Sequence, residues 1–486
     1  MSTPAPKATY KVVDNTLSVP DLVSGIVFLQ GITKRGPVAD PSKLIYSWPQ
    51  FESLHGGLMA ESDFPLHCQI LLNRGCILRV NSIKKNADEA TLAISNTETT
   101  PQLLFTLISK YPGEDYNELK AIISAPSDSE LGDFNMAIEF MGDVVESYEN
   151  LSSDEVILQE ALTNSNWVKL LTMADLTGVT NLVPALTTTQ FTNGSDGDLV
   201  EDVDLSDFSG FDDYEDSYIL AAPGEGNSVI DVAGEAYVGL RKDLRYHASI
   251  PTSEDSSNII TARKAGVYSK FISYSSGGWK VMDPRVGAIR EISEISHFIA
   301  NAVRTFNSEG IHFSFSGPGN PVPGVYGPVN NYGGKAKFAE LDQLNRNNIN
   351  MAINRNGLNM FWGNFTGQRD NTHLKFISTH NLILFMGKSL IPVLETFIEK
   401  PLDLPLFREI FYTVRPFLES LVTNRAVFTA EWQGDQSATS LDDLKINNAH
   451  DVQMGKYKVK LPITRINPLQ EIELTIELTR AGVTIE

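Results

Sequence analysis

The stretch from residue 217 to residue 285 most restricts the fold, because its predicted elements alternate between strand and helix. Short apolar runs at 218–222, 245–250 and 270–274 predict three strands. Helical periodicity between them predicts helices at 229–240 and 256–265. Such alternation is typical of parallel strands joined by right-handed crossovers. The sequence therefore predicts an α/β sheet in the middle of the chain.

Beyond this stretch, longer periodic segments predict helices and further strands. An apolar stripe at 289–306 predicts a strong amphipathic helix. Residues 349–353 and 357–362 have the composition of extended segments, and two more helices are predicted at 376–399 and 404–422. The sequence thus indicates a further unit, with both strands and helices, after the central sheet.

Two segments near the carboxyl end alternate strictly between apolar and polar residues. The apolar rows are Val459, Leu461 and Ile463 within 458–464, and Ile472, Leu474, Ile476 and Leu478 within 471–478. A period of two is that of a strand with one buried face. Such a strand is an exposed sheet edge unless another strand pairs with it. A second copy of the protein is a natural partner, so this pattern favours an assembly subunit over an enzyme.

Charge and length limit the classes of partner. The chain has 486 residues, of which 42% are hydrophobic, which is enough for three or four domains. The net charge is -21. A basic footprint for nucleic acid is absent, so binding to DNA or RNA is not expected. Binding to anionic membranes by the subunit itself is not expected for the same reason.

The cysteines and the apolar runs indicate a cytoplasmic protein. Cys68 and Cys76 lie in or beside the apolar stretch 64–80. Cysteines so placed are small buried hydrophobes more often than a disulfide or a reactive site. This usage fits folding in a reducing cytoplasm. Residues 1–10 lack the apolar core of a signal peptide, and the run 382–394 is shorter than the roughly 20 residues that span a bilayer.

An acidic run occupies residues 194–216. Its acidic residues are Asp196, Asp198, Glu201, Asp202, Asp204, Asp207, Asp212, Asp213, Glu215 and Asp216. A calcium loop of the EF-hand type that began at Asp196 would need glycine and glutamate where Glu201 and Asp207 stand. Because that spacing fails, we expect a solvated surface loop.

Motifs for catalysis or for cofactor binding are incomplete. Met386-Gly387-Lys388-Ser389 imitates the end of a phosphate-binding loop, but Leu382 replaces the glycine that such a loop needs. Gly224-Glu225-Gly226 begins a dinucleotide fingerprint, but Val229 occupies the third glycine position. The eight histidines are scattered and form no pair at zinc spacing. The sequence therefore predicts no cofactor, no metal and no enzymatic activity.

Short motifs follow one another in a fixed order along the chain. They are Gly36-Pro37, Pro49 with Phe51, Gly56-Gly57, Asn73-Arg74-Gly75, Arg79-Val80, Gly113 with Asn117 and Leu119, the stretch 145–152, Ala222-Pro223-Gly224, Trp279, Asp283-Pro284, Asn350, Trp362-Gly363 with Thr366, and Asn467-Pro468. In this order the motifs resemble the contractile tail sheath family of bacteriophages, R-type pyocins and contractile injection systems. The resemblance spans most of the chain, although Phe365 stands where the family's Trp-Gly-x-Arg-Thr motif has arginine.

The resemblance implies a multidomain protein of the α/β and α+β classes. The implied divisions are an N-terminal linker arm at 1–20, an α/β middle domain made of 21–95 with 217–340, an inserted β-rich outer domain at 96–193, the acidic surface loop at 194–216, and a C-terminal α/β sheath core domain at 341–486. Within that core domain, Trp362, Gly363, Thr366 and Pro468 are the structural residues of the family motifs.

The resemblance also implies how copies would join. Sheath subunits form six-membered rings that stack helically around an inner tube and contract to drive the tube through a target envelope. Each subunit lends its N-terminal arm and a C-terminal strand to sheets of neighbouring subunits. The matching residues are Tyr10, Val12 and Val13 in the arm, together with the two C-terminal rows, Val459, Leu461 and Ile463, and Ile472, Leu474, Ile476 and Leu478.

Further partners follow from the same resemblance. The inner tail tube protein would contact the helical region that carries Lys400, Arg408 and Arg415, although a solvated helix face explains these cations equally well. Baseplate and terminal cap proteins would bind the ends of the sheath. The particle would assemble in the bacterial cytoplasm, as a phage tail or as an injection device.

Two other functions remain open on the sequence. One is a cap or baseplate component of the same particle, which would assemble only on a template. The other is an α/β enzyme that uses the sheet at 217–285. An enzyme would place a cleft at the carboxyl ends of those strands, beside Pro223, Gly224, Pro251 and Ser275.

Overall fold

The computed structural model describes residues 25–128, 132–177, 179 and 181–468. Its strands are β1 (Ile26–Gly31), β2 (Leu44–Ile45), β3 (Ile77–Ser82), β4 (Thr91–Ser95), β5 (Leu103–Ser109), β6 (Leu119–Ser124), β7 (Phe134–Phe140), β8 (Asp143–Leu151), β9 (Val168–Met173), β10 (Thr188–Gln190), β11 (Ile219–Ala221), β12 (Arg245–Ser249), β13 (Ile272–Ser276), β14 (Trp279–Asp283), β15 (Ala288–Ile292), β16 (Gly327–Pro328), β17 (Ile349–Arg355), β18 (Leu358–Trp362), β19 (Val427–Ala430) and β20 (Ile463–Arg465). Its α-helices are α1 (Trp48–His55), α2 (Phe64–Leu72), α3 (Glu155–Leu162), α4 (Ser228–Arg241), α5 (Ser256–Ala265), α6 (Ile295–Ser308), α7 (Phe338–Arg346), α8 (Ile377–Glu395), α9 (Leu404–Thr423) and α10 (Ala449–Gln453).

The described chain divides into two compact units. The larger comprises residues 25–309 and 315–380, and the smaller comprises residues 310–314 and 381–468. The larger unit holds β1 to β18 and α1 to α7. The smaller unit holds most of α8, together with α9, α10, β19 and β20. The protein is therefore a mixed α/β protein with several sheets.

An eight-stranded sheet forms the centre of the larger unit, with the strand order β18-β17-β13-β12-β11-β1-β3-β2. The six strands from β17 to β3 run parallel, and antiparallel β18 and β2 form the edges. The parallel sheet predicted for 217–285 is thus present. In the order of the sheet, β3 lies on one side of β1, and β11, which follows much later in the chain, lies on the other side of β1. The topology therefore reverses between β1 and β11.

Helix α4 shows how the sequence fits this sheet. The side chain of Asn227 accepts hydrogen bonds from two backbone N–H groups of the first turn, so the helix begins immediately after it. Gly234 faces the sheet, where a Cβ atom would lie 2.5 Å from the ring of Tyr246. The absence of a side chain at Gly234 therefore lets the helix pack closely on β12.

The segment between β3 and β11 forms two small antiparallel sheets. Their strand orders are β10-β6-β7-β8 and β4-β5-β9. Every second residue of β7 is buried in a core that both sheets share, as the alternation of its sequence predicts. A tight turn at Met141 and Gly142 joins β7 to β8. Apart from β4, which precedes it, these strands lie within 96–193, for which the resemblance implies an inserted β-rich domain.

The acidic segment 194–216 differs from the predicted solvated loop. Its carboxylates are exposed or half-buried, but Leu205, Phe208 and Phe211 are buried in the core of the larger unit. The ring of Phe211 stacks on that of Phe28 in β1, with 4.8 Å between centroids. Apolar residues interspersed among the charges therefore make this segment a cover for one face of the sheet.

Two further expectations are corrected. The helix predicted at 289–306 begins only at Ile295, because Ile289 and Ile292 belong to β15, which pairs with β14. The domain boundary predicted at 341 also differs from the structure, since β17 and β18 extend the eight-stranded sheet. The physical reason is that residues 349–353 are fully buried, which suits a strand inside a sheet.

Candidate assembly surface

Helices α8 and α9 supply most of the apolar core of the smaller unit. Helix α9 begins after Asp403, whose side chain accepts a hydrogen bond from the N–H of Leu406. Phe411 is only partly covered, but the rest of the apolar stripe that helical periodicity predicts is buried, namely Phe407, Ile410, Val414, Phe417, Leu418 and Leu421. Helix α8 contributes apolar residues to the same core. Although α8 is long and apolar enough to cross a membrane by length and composition, 61% of its most apolar window is buried, as in a core helix.

Strands β19 and β20 pair in antiparallel fashion beside α9. Ala430 lies opposite Ile463. Past the end of β19, Gln433 and Lys460 exchange two backbone hydrogen bonds, of 2.9 and 2.8 Å. The N–H of Glu431 donates to the carbonyl of Pro462, which directly precedes β20, at 3.1 Å. Strand β19 was not predicted from the sequence, although its valine, phenylalanine and threonine are strand-favouring residues.

This pairing leaves a sheet edge open. Hydrogen-bonding residues alternate along an antiparallel strand. Because Glu431 and Gln433 bond toward β20, the N–H groups of Ala430 and Trp432 point to the opposite edge. The carbonyl of Trp432 accepts from the side chain of Gln436, at 2.9 Å. Within the described residues, no third strand pairs with β19 or β20, so the pair is a template for a further strand.

The first C-terminal row lies against the unit's own core. Val459, Leu461 and Ile463 are half-buried and pack on the apolar cluster between α8 and α9. The residues between them are exposed, which agrees with the predicted alternation. The regular strand is shorter than predicted and covers only Ile463–Arg465. Its pairing with β19 is within the same chain, and the part of these residues in joining copies stays a prediction.

A groove of about 620 Å³ runs beside the open edge of β19. The residues that line it are Phe411, Arg415, Leu418, Glu419, Val422 and Thr423 from α9, and Ala430, Glu431, Trp432, Gln433 and Gln436 from β19 and the segment after it. Nε of Arg415 lies 2.7 Å from a carboxylate oxygen of Glu419, and this hydrogen bond raises the pKa of the Arg415 guanidinium. The groove thus combines apolar side chains with one arginine and two glutamates, Glu419 and Glu431.

A half-buried carboxylate holds the segment after the groove in place. Asp435 accepts hydrogen bonds from the backbone N–H groups of Lys445, Ile446 and Asn447. Burial alone would raise the pKa of Asp435, but these hydrogen bonds lower it below its usual value. Gln436, which lines the groove beside Asp435, is therefore held close to residues 445–447 of the same unit.

The three cations predicted to meet a tube each have a partner within the chain. Nζ of Lys400 lies 3.0 Å from Glu409. Nη2 of Arg408 donates to the carbonyl of Ala438, at 2.9 Å. Arg415 pairs with Glu419 as described, and it lines the groove. Their contact with a tube stays a prediction.

The motif residues near β18 have structural roles. Gly363 has a φ of 123°, and a Cβ atom there would lie 2.9 Å from the side chain of Asn350. The amide of Asn350 donates to the carbonyls of Tyr274 and Phe365, and it accepts from the N–H of Phe365. Thr366 is fully buried. These residues fix the turn after β18 against β17 and β13.

The other motif positions are also structural. Trp362 ends β18 and carries the guanidinium of Arg355 over its ring, at 5.2 Å. Asp283 is fully buried between Arg285 and Arg290. Hydrogen bonds from Arg285 hold the pKa of the Asp283 carboxyl well below its usual range. Pro468 is half-buried and ends the described part of the smaller unit.

Two sets of predicted exchange residues cannot be located. Tyr10, Val12 and Val13 of the arm, and Ile472, Leu474, Ile476 and Leu478 of the second row, lie outside the described residues. Their part in joining copies therefore stays a prediction.

A cleft does lie where the enzyme hypothesis places one. A pocket of about 140 Å³ opens at the carboxyl ends of β11 and β12 and includes Gly224 and Pro251 among its lining residues. Small-molecule sites usually measure about 300–1,000 Å³. The pocket is therefore too small for most substrates and cofactors.

Comparison with known proteins gives structural matches alone. No protein-family model matches the sequence, and no protein of curated function matches it. The sheath tail protein of Listeria innocua aligns with a TM-score of 0.60 at 12% identity, over 91% of this chain and 95% of the other. The sheath complex of PVC, an extracellular contractile injection system, in its contracted state aligns with a TM-score of 0.58 at 12% identity, over 98% of both chains.

The chain has the fold of contractile tail sheath proteins. The contracted helical sheath of the anti-feeding prophage agrees with this, with a TM-score of 0.58 at 11% identity, over 98% of this chain and 99% of the other. The sheath fold thus extends over nearly the whole chain, and these neighbours are structural proteins.

Proposed function

We propose that the chain is a structural subunit of a contractile sheath. The observation that carries the proposal is the sheath fold, which extends over 98% of the chain and is shared with the sheath proteins of PVC and of the anti-feeding prophage. The open edge of β19 supports the same conclusion, because an unpaired strand edge favours joining to another chain. Repeated joints would connect copies into rings and a helical array around an inner tube.

The proposed joint is strand addition in the smaller unit. An extended segment of a neighbouring copy would pair with the outward N–H of Ala430 and lay apolar side chains into the groove beside α9. The row Ile472, Leu474, Ile476 and Leu478 has the alternation that such a strand needs. The arm residues Tyr10, Val12 and Val13 would supply the other exchanged strand.

The energetics suit an array that forms and rearranges. Each net backbone hydrogen bond contributes about 0.5–1.5 kcal/mol, so a joint of a few bonds with apolar burial is stable by several kcal/mol. One such joint is weak, but many joints hold each copy in a sheath. Contraction would move the units while the exchanged strands keep the copies connected.

The further partners belong to the same proposal. The inner tube would contact the region of Lys400, Arg408 and Arg415, and baseplate and cap proteins would close the ends. The particle would assemble in the bacterial cytoplasm, and the subunit itself would bind neither nucleic acid nor membrane. The net charge of -21 supports the last two points.

A second candidate is a component of the baseplate. A chain in the 6-fold symmetrised baseplate of the anti-feeding prophage aligns with a TM-score of 0.56, over 99% of this chain. A baseplate component would assemble only on a template, whereas a sheath subunit would also form tubes alone.

Negative-stain electron microscopy of the purified full chain tests the proposal. We expect striated tubes from the full chain and none from a chain that ends at Leu469, because the second row is then missing. A chain that ends at Leu478 keeps this row and is the matched control. Particles that form only when other tail proteins are added would favour the baseplate candidate, and monomers under all conditions would contradict the sheath role.

A further inference from the structure

Two arginines of the larger unit hold the same loop between α6 and β16. Nη2 of Arg74, which follows the end of α2, donates to the carbonyl of Pro323. Nη1 of Arg304, on α6, donates to the carbonyl of Pro321, at 3.1 Å. The Cα atoms of these two prolines are at most about 7 Å apart, because a chain spans no more than ~3.6 Å per residue. The loop therefore holds Arg74 and Arg304 close together as an arginine pair.

Acidic side chains do not balance the charge of the arginine pair. Within the described residues, the side-chain partners of both guanidinium groups are carbonyl oxygens and no Asp or Glu. Burial and the charge of Arg304 lower the pKa of Arg74 to about 10. Burial, followed by the charge of Arg74, also lowers the pKa of the nearby His297 ring well below its usual value. Like charges held together cost free energy, which a bound anion would recover.

Both guanidinium groups keep N–H donors that solvent can reach. Each guanidinium has five N–H donors, of which Arg74 uses one and Arg304 uses two. The two residues are half-buried, and neither has an N–H group that is both sealed from solvent and without a partner. A Cβ atom built at Gly324 would meet only Nη2 of Arg74 within 4 Å, at 3.6 Å. An anion from solution can therefore approach the pair.

We propose that the arginine pair binds a phosphate dianion, either free or as the terminal group of a phosphate ester. The planar forks of guanidinium groups match pairs of phosphate oxygens, and charge strengthens these hydrogen bonds. Two cations balance a phosphate charge of about −2, whereas a single carboxylate would balance only one of them. The net charge of -21 opposes this binding weakly at physiological salt, because exposed charges more than about 8 Å away are screened. The inference concerns the larger unit alone and does not depend on assembly.

Isothermal titration calorimetry of the full chain, at neutral pH and constant ionic strength, tests the proposal. Inorganic phosphate is the probe, and acetate is the control anion with a single carboxylate. We expect acetate to bind at least ~10-fold more weakly than phosphate. Phenyl phosphate distinguishes the sources, because the site accepts phosphate esters if this anion binds too and only free phosphate if it does not. Equal affinities for phosphate and acetate, or no binding of phosphate, would overturn the proposal.

Substitutions of Arg304 place the binding at this site. Arg304→Gln removes one cation, and we expect the affinity for phosphate to fall ~10–100-fold, as for a lost hydrogen bond between charged groups. Arg304→Lys keeps the charge without the planar fork, so it should have an intermediate affinity and gives a second test if the glutamine variant does not fold. Arg346→Gln is the matched control, because Arg346 is an exposed arginine that pairs with Asp342. If neither Arg304 variant binds phosphate more weakly than this control, the anion binds elsewhere and the proposal is wrong.

Discussion

Replacing Ala430 by proline tests whether the outer edge of β19 joins copies. Proline lacks the backbone N–H, and it is tolerated on an edge strand where that N–H faces outward. The N–H of Ala430 points away from β20, so Ala430→Pro breaks no bond of the ladder. Ala430→Ser keeps the N–H and is the matched control. Glu431→Pro is the contrasting variant, because it removes a 3.1 Å hydrogen bond to Pro462.

The size of the effect follows from one lost hydrogen bond per joint. Such a bond contributes about 0.5–1.5 kcal/mol, and 1.4 kcal/mol is a factor of ten in an equilibrium constant. We therefore expect the critical concentration for assembly to rise ~2–10-fold in Ala430→Pro. The proline ring also hinders the approach of a strand that must lie about 4.8 Å away, so this range is a lower limit.

Sedimentation of a concentration series measures the critical concentration. We expect Ala430→Ser to assemble like the unmodified chain, and Ala430→Pro to need more protein while its unfolding free energy stays close to that of the control. Glu431→Pro should instead lower the stability of the smaller unit. Equal critical concentrations for the proline and serine variants at Ala430 would refute the assignment of this edge to the joint.

Three further predictions concern the larger unit. Gly234→Ala should destabilise it by ~1–3 kcal/mol in urea unfolding, because the new methyl group overlaps an aromatic ring. Gly239→Ala on the same helix meets nothing closer than 3.6 Å and should stabilise it by up to ~1 kcal/mol. Equal effects of the two substitutions on the unfolding free energy would contradict the packing argument. Phe211→Ala should cost ~3–5 kcal/mol in the same assay, and a loss below ~1 kcal/mol would show that the acidic segment is not part of the core. Burial raises the pKa of Asp231 to about 7, so its native form keeps a proton that the unfolded chain releases near pH 4. Stability relative to Asp231→Asn should therefore fall by ~4 kcal/mol between pH 4 and pH 7, and parallel pH profiles would disprove the shift.

Local hydrophobic periodicity was sufficient to predict an element where the apolar positions of its pattern are also its buried positions. The strands and helices of 217–285 follow their hydrophobic patterns, and the stripe of α9 is buried almost as predicted. The stretch 289–306 shows the limit, because Ile292 fits the helical stripe and Ile289 was predicted to begin the helix, and yet both pair with β14. A strand is stabilised by its partner, which local periodicity does not contain. The motif order predicted the sheath fold because its residues form or hold turns: Gly363 occupies the turn after β18, and the side chain of Asn350, in β17, is hydrogen-bonded to that turn.

The sequence by itself determined the class of protein, the parallel sheet and the alternation of Val459, Leu461 and Ile463, since each depends on residues close together in the chain. Only the tertiary structure decided which strand meets which. It paired β20 with β19, which lies more than thirty residues earlier, and so left the edge at Ala430 open. It also turned the acidic segment into a cover for the sheet through Phe208 and Phe211. The physical reason is that backbone pairing and core packing join distant residues, whose proximity is a property of the whole fold.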